Sequence, residues 1–244
     1  RHAGACPSPP IINHHLLLEP WRPRLRSHGR VQIPGFLQEP SALRLHQCLS
    51  EEVPWETAQR SDAVLAEGQD RRPPPGSAED EAALAATCLR AREGFESYFD
   101  RYRMPDARRD GTDPQLVLHA VVDFLNSPQF LEFARQLTGD PAIRMVSAIG
   151  VRYRAGHFLR AHNDLANDEN RAFAYVINLS RQWSPDWGGL LHFLDPEQRR
   201  VVDTFTPLWN SLSLFRVPQP HVVSLVAPWA GSARYSITGW FRRD

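Results

Sequence analysis

The fold is decided by the stretch 172–196, AFAYVINLSRQWSPDWGGLLHFLDP, in which two short apolar runs flank a segment rich in Trp, Pro, Asp and Gly. Val, Ile, Tyr and Phe dominate the first run, and these residue types favour β-strands. The break between the two runs contains the residues that reverse a chain. The stretch therefore predicts two strands joined by a short connection.

The same pattern extends through the whole C-terminal part of the chain. After Pro141, short runs of β-branched and aromatic residues are broken by Gly, Pro, Asn or Asp about every eight to twelve residues. Short strands without long helices between them are typical of an antiparallel sandwich or jelly roll. Strands are predicted near residues 143–153, 158–162, 172–180, 189–194, 200–205, 211–215, 221–226 and 233–241.

The N-terminal part has a different character. Residues 1–30 are rich in Pro, Arg and His and are predicted to form an extended arm. A short strand is predicted at 31–37, and residues 67–80, with three consecutive prolines, are predicted to be a linker or loop. The spacing of apolar residues predicts helices near 41–52, 79–103, 115–126 and 128–138.

Helices first and strands second predict an α+β fold class. We expect a double-stranded β-helix, or jelly roll, preceded and flanked by N-terminal helices. Residues 31–244 are predicted to form a single domain, in which 31–140 are mainly helical support and 141–244 form the jelly-roll core.

Composition narrows the classes of partner. The chain has 28 basic and 28 acidic residues, so no net field draws it to nucleic acid or to an anionic membrane. All the basic residues are Arg, which excludes chemistry through a lysine Schiff base. The three cysteines lie far apart, and the chain shows neither a membrane-spanning run nor a signal-peptide pattern. A cytoplasmic protein of undetermined oligomeric state is expected.

Candidate metal ligands lie in the strand-rich part. In FLRAHNDLAND (158–168), His162 and Asp164 are two residues apart, so on an extended backbone both side chains point to one face. His221 opens the β-branched run HVVSLV. Two histidines and one carboxylate on neighbouring strands form a facial triad, which leaves positions on Fe(II) open for a co-substrate and O2. Zinc more often has cysteine ligands, and a packed, metal-free His221 is the alternative.

A candidate anion ligand follows in RYSITGWF (234–241), where Arg234, Ser236, Thr238 and Trp240 alternate on one strand face. The preceding Pro and Gly indicate a reversal, which places Arg234 on a strand antiparallel to the one carrying His221 and facing the same interior. A buried Arg matches a carboxylate with its planar fork, and Ser236 can add a hydroxyl. A structural salt bridge is the alternative.

Several motifs in order resemble one family. These are YRAGHFLRAHND (153–164), NLSRQWSPDWGGLLHF (178–193), LFRVPQPHVVSLV (214–226) and RYSITGWF, with GRVQIPGFL (29–37) and EEVPW (51–55) near the N-terminus. Together they resemble the prolyl 4-hydroxylase branch of the iron(II)/2-oxoglutarate oxygenases, which includes the oxygen-sensing and ribosomal prolyl hydroxylases and bacterial relatives.

The resemblance implies a function for each matched residue. His162, Asp164 and His221 fall on the catalytic iron ligands, and Arg234 falls on the arginine that binds the distal carboxylate of 2-oxoglutarate. Tyr153 matches a tyrosine that lines the pocket. The implied cofactors are Fe(II), with 2-oxoglutarate and O2 as co-substrates and ascorbate as a reductant. The implied activity is a dioxygenase that hydroxylates an unactivated carbon.

One position departs from the family pattern. A tyrosine that often contacts 2-oxoglutarate falls on Asn178, whose amide could donate a hydrogen bond instead, while Tyr175 lies on the opposite strand face. The resemblance favours a prolyl residue of a protein or peptide as substrate. A free amino acid or small natural product, or a non-catalytic metal-binding jelly roll, are the alternatives.

Overall fold

The structure, a computed structural model, describes residues 10–61 and 72–244. Its strands form one curved, largely antiparallel sheet, and its helices lie mainly before the C-terminal strands. The helices are α1 Trp21–His28, α2 Glu39–Gln47, α3 Ala78–Arg90, α4 Met104–Asp110, α5 Leu118–Leu125 and α6 Pro128–Thr138. The strands are β1 Arg30–Ile33, β2 Glu56–Ser61, β3 Glu96–Tyr102, β4 Met145–Val146, β5 Ile149–Tyr153, β6 Phe158–His162, β7 Arg171–Asn178, β8 Leu191–Leu194, β9 Val201–Phe205, β10 Ser211–Arg216, β11 His221–Val223 and β12 Arg234–Arg242.

The sheet curls back on itself as a jelly roll requires. Its main path runs β1-β10-β7-β12-β5-β3-β6-β11-β8-β9, while β2 pairs with β3 and β4 with β12. Arg30 in β1 and Asp203 in β9 stand at opposite ends of this path, yet Arg30 Nε lies 2.8 Å from Asp203 Oδ2. The two ends therefore meet, which confirms the predicted double-stranded β-helix with flanking helices.

The helices of the N-terminal part cover one outer face of the sheet. Apolar side chains of α2, α5 and α6 pack with those of β7, β10 and β12 in one buried cluster, which includes Leu45, Phe130, Tyr175 and Phe241. A second, smaller cluster fills the inside of the jelly roll around Phe193 and Phe215. None of the helices within the described residues is long and apolar enough to cross a bilayer.

One helix prediction is wrong, and the difference matters for the site. The apolar spacing over 79–103 predicted one helix, but α3 ends at Arg90 and residues 96–102 form β3. Gly94 lies between the two elements, and ESYFDRY alternates along a strand with Ser97, Phe99 and Arg101 on one face. Three strands, β1 to β3, therefore come from the region predicted to be mainly helical.

The predicted extended arm also needs correction. Its first nine residues and residues 67–71 of the predicted linker lie outside the described part of the chain. Residues 21–28 form α1, whose Leu25 is buried in the main core, and Gly29 ends it with a φ of 72°. Helix α1 ends directly before β1, so residues 21–28 are a helix packed beside the sheet rather than an extended arm.

Strands β5 and β6 continue one another beside β3 and are separated by a corner at residues 154–157. At this corner His157 is buried, and its Nδ1 accepts a hydrogen bond from the backbone N–H of Arg154 at 3.1 Å. Arg154 also donates to the buried carboxylates of Asp80 and Asp100. The corner that leads from Tyr153 to the candidate ligand His162 is thus held by buried polar contacts.

The burial of His157 at this corner predicts that the stability of the protein depends on pH. Burial lowers the pKa of His157 to about 4, below the ordinary value of about 6.5. Between those values the unfolded chain binds a proton that the folded chain does not, so stability falls as pH drops from about 6.5 to 4, by on the order of 3 kcal/mol. Urea unfolding at pH 7 and pH 4.5 measures this loss. In His157→Asn, which keeps an acceptor near Nδ1, we expect a smaller loss; an equal loss would contradict the assignment.

Candidate active site

The three candidate metal ligands converge at one point. The Cα atoms of His162 and His221 face each other across the β6–β11 pair, and the centroids of their imidazole rings are 4.2 Å apart. Asp164 Oδ1 lies 3.1 Å from His162 Nε2, and its Oδ2 lies 3.3 Å from His221 Nε2. One ligand atom from each residue lies within 4.8 Å of the other two.

Asp164 reaches this point by a route that strand alternation did not predict. Strand β6 ends at His162, and Asp164 follows with a φ of 64°, in the left-handed region that Asp tolerates better than most residues. Arg171 donates from Nη1 to the backbone oxygen of Asp164 at 3.1 Å. The carboxylate therefore returns to His162 through a left-handed turn rather than through the pleat of a strand.

The hydrogen bonds of the two imidazoles fix their protonation. His162 Nδ1 lies 2.9 Å from the backbone oxygen of Arg160, and His221 Nδ1 lies 2.7 Å from that of Gln219. A carbonyl oxygen can only accept, so each Nδ1 carries the proton and each Nε2 presents a lone pair. Two lone pairs and a carboxylate directed at one point form a set of acceptors that fits a cation.

The electrostatics of His221 and Asp164 agree with their binding a cation. Burial, with His162 beside it, lowers the pKa of His221 to about 4, so its imidazole is neutral at pH 7. Burial opposes ionisation of Asp164, but the two imidazoles and the nearby Trp240 outweigh it and hold its pKa below the ordinary value. Neutral imidazoles and an ionised carboxylate are the forms that bind a divalent metal.

A cavity of about 270 Å³ lies beside the triad. Its lining includes His162 and Asp164 together with Tyr153, Arg234 and Ser236. Most of the remaining wall is apolar, contributed by Phe99, Ile149, Val151, Leu159, Ala174, Val176, Phe215 and Val223. The structure therefore brings two of the predicted metal ligands, His162 and Asp164, and the predicted anion ligand to the same largely apolar cavity.

Arg234 lies in this cavity without an acidic partner. Its side chain is buried, and over residues 10–61 and 72–244 it forms no salt bridge, so a structural salt bridge is not found there. Its buried Nε has no hydrogen-bond partner, and its guanidinium lies over the ring of Tyr153 at 5.2 Å. Burial lowers its pKa. A buried, unpaired guanidinium is costly, and an anion with a planar carboxylate would satisfy it.

Arg234 faces the predicted interior cavity, but the prediction that its strand pairs with the strand of His221 is wrong. Strand β12 pairs with β5 and β7, whereas β11 pairs with β6 and β8. Arg234 and His221 are therefore not on neighbouring strands. Along β12, Arg234, Ser236 and Trp240 do share the cavity face, as the alternation predicted.

Two glycines make room beside Arg234. Gly188 and Gly189 have φ values of 70° and 61°. A Cβ on Gly188 would lie 2.0 Å from the backbone oxygen of Leu225, and one on Gly189 would lie 3.2 Å from Arg234 Cδ. The diglycine thus allows a close approach of the backbone that a side chain at either position would obstruct.

Asn178 is buried, and its amide already has partners. Its Nδ2 donates to Ser211 Oγ at 3.0 Å and to Ser213 Oγ at 3.2 Å, which engages both N–H groups. A hydrogen bond from Asn178 to 2-oxoglutarate would have to replace one of these, so that contact stays a prediction. Tyr175 points away, as expected, and donates to the backbone oxygen of Ser147 at 2.6 Å.

The contacts of Asn178 suggest a supporting function that Asn178→Ala tests. We expect the free energy of unfolding to fall by about 1–3 kcal/mol, because the substitution removes hydrogen bonds in a buried region. The Michaelis constant for 2-oxoglutarate should change little. Thermal unfolding and 2-oxoglutarate titration measure the two effects; a several-fold higher Michaelis constant with unchanged stability would instead show direct contact.

Sequence reasoning missed the β3 wall and Arg171. Ser97, Phe99 and Arg101 line the cavity from β3, and the period-2 alternation in ESYFDRY was the signal that could have identified them. Arg171 lies 3.5 Å from the ring centroid of Trp240 while holding the Asp164 backbone. No local pattern marks that contact.

Comparison with known proteins agrees with this geometry. Residues 149–242, which contain the triad and Arg234, match the family model of the 2OG-Fe(II) oxygenase superfamily. Over these residues, which are less than half of its length, the chain is similar to the 2OG-Fe(II) oxygenase superfamily. The family's name states its metal and its co-substrate, Fe(II) and 2-oxoglutarate, and the His-His-Asp set and the unpaired Arg234 fit both.

Individual proteins similar to this chain include prolyl hydroxylases. The chain is 28% identical over 154 residues to prolyl 3-hydroxylase OGFOD1 of Mus musculus, covering 60% of this chain but only 27% of that protein. A 2OG-Fe(II) oxygenase family protein from Burkholderia pseudomallei has a similar structure, with a TM-score of 0.61, 17% identity and coverage of 97% and 96% of the two chains.

A second similar structure is a prolyl hydroxylase from Trichoplax adhaerens in complex with a peptide fragment of the hypoxia inducible factor oxygen degradation domain. Its TM-score is 0.58 at 18% identity, with coverage of 93% of this chain and 89% of that one. At these identities the two structures support the fold alone.

Proposed function

We propose that the protein is an Fe(II)- and 2-oxoglutarate-dependent dioxygenase that hydroxylates an unactivated carbon of a prolyl residue in a protein or peptide. One observation carries the proposal: His162 and Asp164 of the metal-ligand set line the same cavity as a buried arginine that has no carboxylate partner in the described residues. A metal and a dicarboxylate would satisfy both. Residues 31–244 are proposed to act as one oxygenase domain.

In this proposal each side chain has a defined task. Nε2 of His162 and of His221 and the carboxylate of Asp164 would hold Fe(II). The fork of Arg234 and the hydroxyl of Ser236 bind the distal carboxylate of 2-oxoglutarate, and Tyr153 packs against the guanidinium. Bound Fe(II), 2-oxoglutarate and O2 supply the oxidation, with ascorbate as reductant a further expectation.

The cavity walls contribute orientation and exclusion of water. The side chains of Val151, Leu159, Val176 and Phe215 line the cavity together with His162, Asp164 and Arg234. An apolar wall strengthens the interaction between Arg234 and a carboxylate, because few water dipoles remain to screen it. The geometry therefore favours a small dicarboxylate held at one end by charge and at the other by the metal.

The prolyl substrate is supported by the similarity to OGFOD1 and is a proposal, because the chain spans about a quarter of that protein. Hydroxylation of a free amino acid or small natural product is the main alternative. A non-catalytic metal-binding module is less favoured, because a structural metal site gives no reason for a buried unpaired arginine beside it.

The proposal is tested by incubating the protein with Fe(II), 2-oxoglutarate, O2 and a panel of proline-containing peptides. We expect succinate formation that a peptide accelerates, and a peptide product that gains one oxygen atom on proline. Matched peptides with Ala in place of Pro are the control. Oxidation of free amino acids but of none of the peptides would favour the alternative. If 2-oxoglutarate is not consumed with any substrate, the protein is not a dioxygenase.

A further inference from the structure

A second group of unpartnered donors lies in the same cavity, on the wall formed by β2 and β3. In this pair Arg60 faces Ser97 and Glu56 faces Arg101. Arg60, Ser97 and Arg101 all line the cavity. We propose that these three residues bind a carboxylate of the substrate, so that the substrate is an acidic peptide. This inference rests on the proposed function and specifies its substrate.

Two hydrogen-bond donors on this wall lack partners among the described residues. Arg101 Nη2 and Ser97 Oγ are both buried, and neither has a hydrogen-bond partner in the described part of the chain. Arg101 uses only its Nε, which donates to Glu56 at 2.9 Å. A buried donor without a partner is costly, and two on one cavity wall indicate a ligand with acceptor oxygens.

Basic residues outnumber acidic ones around this wall. Glu56 Oε1 lies 2.9 Å from Arg101, 3.3 Å from Arg103 and 3.5 Å from Arg72, so one carboxylate faces three guanidinium groups. Arg60 forms no ion pair with any described residue. Three guanidinium groups share one carboxylate and Arg60 has none in the described part of the chain, so the net charge around this wall is positive. Such an excess attracts an anion and selects against a cationic partner.

The distal carboxylate of 2-oxoglutarate does not account for this wall. Arg234 and Ser236 on β12 offer that carboxylate a fork and a hydroxyl, and Arg101 is separated from Ser236 by the intervening strand β5, since both pair with Val151. The cavity is therefore lined by two arginine sites on different strands. The site at Arg234 suits the co-substrate, and the site at Arg101 is available to a second anion.

The test uses binding rather than turnover. Protein loaded with Fe(II) and 2-oxoglutarate without O2 is titrated calorimetrically with proline-centred peptides that carry Glu at each flanking position in turn, and with the same peptides carrying Gln. We expect at least one Glu peptide to bind about tenfold more tightly than its Gln counterpart, as for a hydrogen bond to a charged group. Arg101→Met and Arg60→Gln should each reduce that preference.

Arg103→Gln is the matched control. Arg103 shares the carboxylate of Glu56 but is half-exposed and is absent from the cavity lining, so its substitution should leave the preference unchanged. Arg60 is exposed, so Arg60→Gln should fold even if Arg101→Met does not.

Three results would overturn the inference: equal binding of all Glu and Gln pairs, a preference that survives in both variants, or an Arg101→Met variant that weakens 2-oxoglutarate rather than the peptide. A preference for Glu that persists when the central Pro is Ala, without any hydroxylated product, would keep the inference and reject the prolyl activity. The two failures are therefore distinguishable.

Discussion

His162→Ala is expected to abolish stoichiometric Fe(II) binding. The substitution removes one of three ligands, and because loss of a residue that only supports a ligand costs about 10–100-fold in metal affinity, loss of a ligand should exceed about a hundredfold. Elemental analysis and anaerobic metal titration measure the effect. Activity should be lost with the metal.

His192→Ala is the matched control for this prediction. His192 lies on β8 beside His221, faces Val222 across the pair and contacts Thr204 Oγ1 at 2.8 Å, yet it is not part of the triad. Its variant should bind iron as the wild type does. Full iron occupancy in His162→Ala, or equal losses in both variants, would show that the triad is not the metal site.

Arg234→Met is expected to weaken 2-oxoglutarate by about 2–5 kcal/mol while sparing iron, because it removes one partner of a buried charge pair. The same change should stabilise the protein without co-substrate. Arg234 is buried and unpaired in the described residues, so an apolar side chain of similar length removes the cost of burying its charge.

The opposite effects on binding and stability distinguish a ligand site from a structural salt bridge. Calorimetric 2-oxoglutarate titration and thermal unfolding of the same samples measure both. The 2-oxoglutarate affinity of Arg234→Lys should lie between those of the wild type and Arg234→Met, because lysine keeps the charge but lacks the planar fork. A variant that binds 2-oxoglutarate normally and unfolds at lower temperature would show that the arginine has a structural partner.

Strands with strong local signals could be predicted from the sequence. Residues 158–162 were predicted as a strand and form β6, and the helix predicted at 128–138 is α6. In α6 the buried residues Phe130, Ala134 and Leu137 recur at helical spacing, and Ser127 caps the helix by accepting a hydrogen bond from the Phe130 N–H. The triad and Arg234 were identifiable because their residue types suit few other uses when they occur together.

The remaining features depend on contacts between distant parts of the chain. The apolar spacing of residues 96–102 predicted a continuation of α3, but these residues pair with β5 and β6 and form a strand. Tertiary contacts here override a weak local preference for helix. The left-handed Asp164 is stabilised by Arg171, and the amide of Asn178 is satisfied by serines of β10. No local pattern encodes these partners.

In the proposed function, the His162, Asp164 and His221 triad holds Fe(II) while Arg234 holds 2-oxoglutarate. The most direct test is a crystal structure with anomalous scattering at the iron edge, from protein prepared with Fe(II) and 2-oxoglutarate without O2. We expect one iron peak within bonding distance of His162 Nε2, His221 Nε2 and the Asp164 carboxylate, and a carboxylate of 2-oxoglutarate on the Arg234 guanidinium. An iron peak elsewhere, or 2-oxoglutarate bound at Arg101 with Arg234 unoccupied, would contradict it.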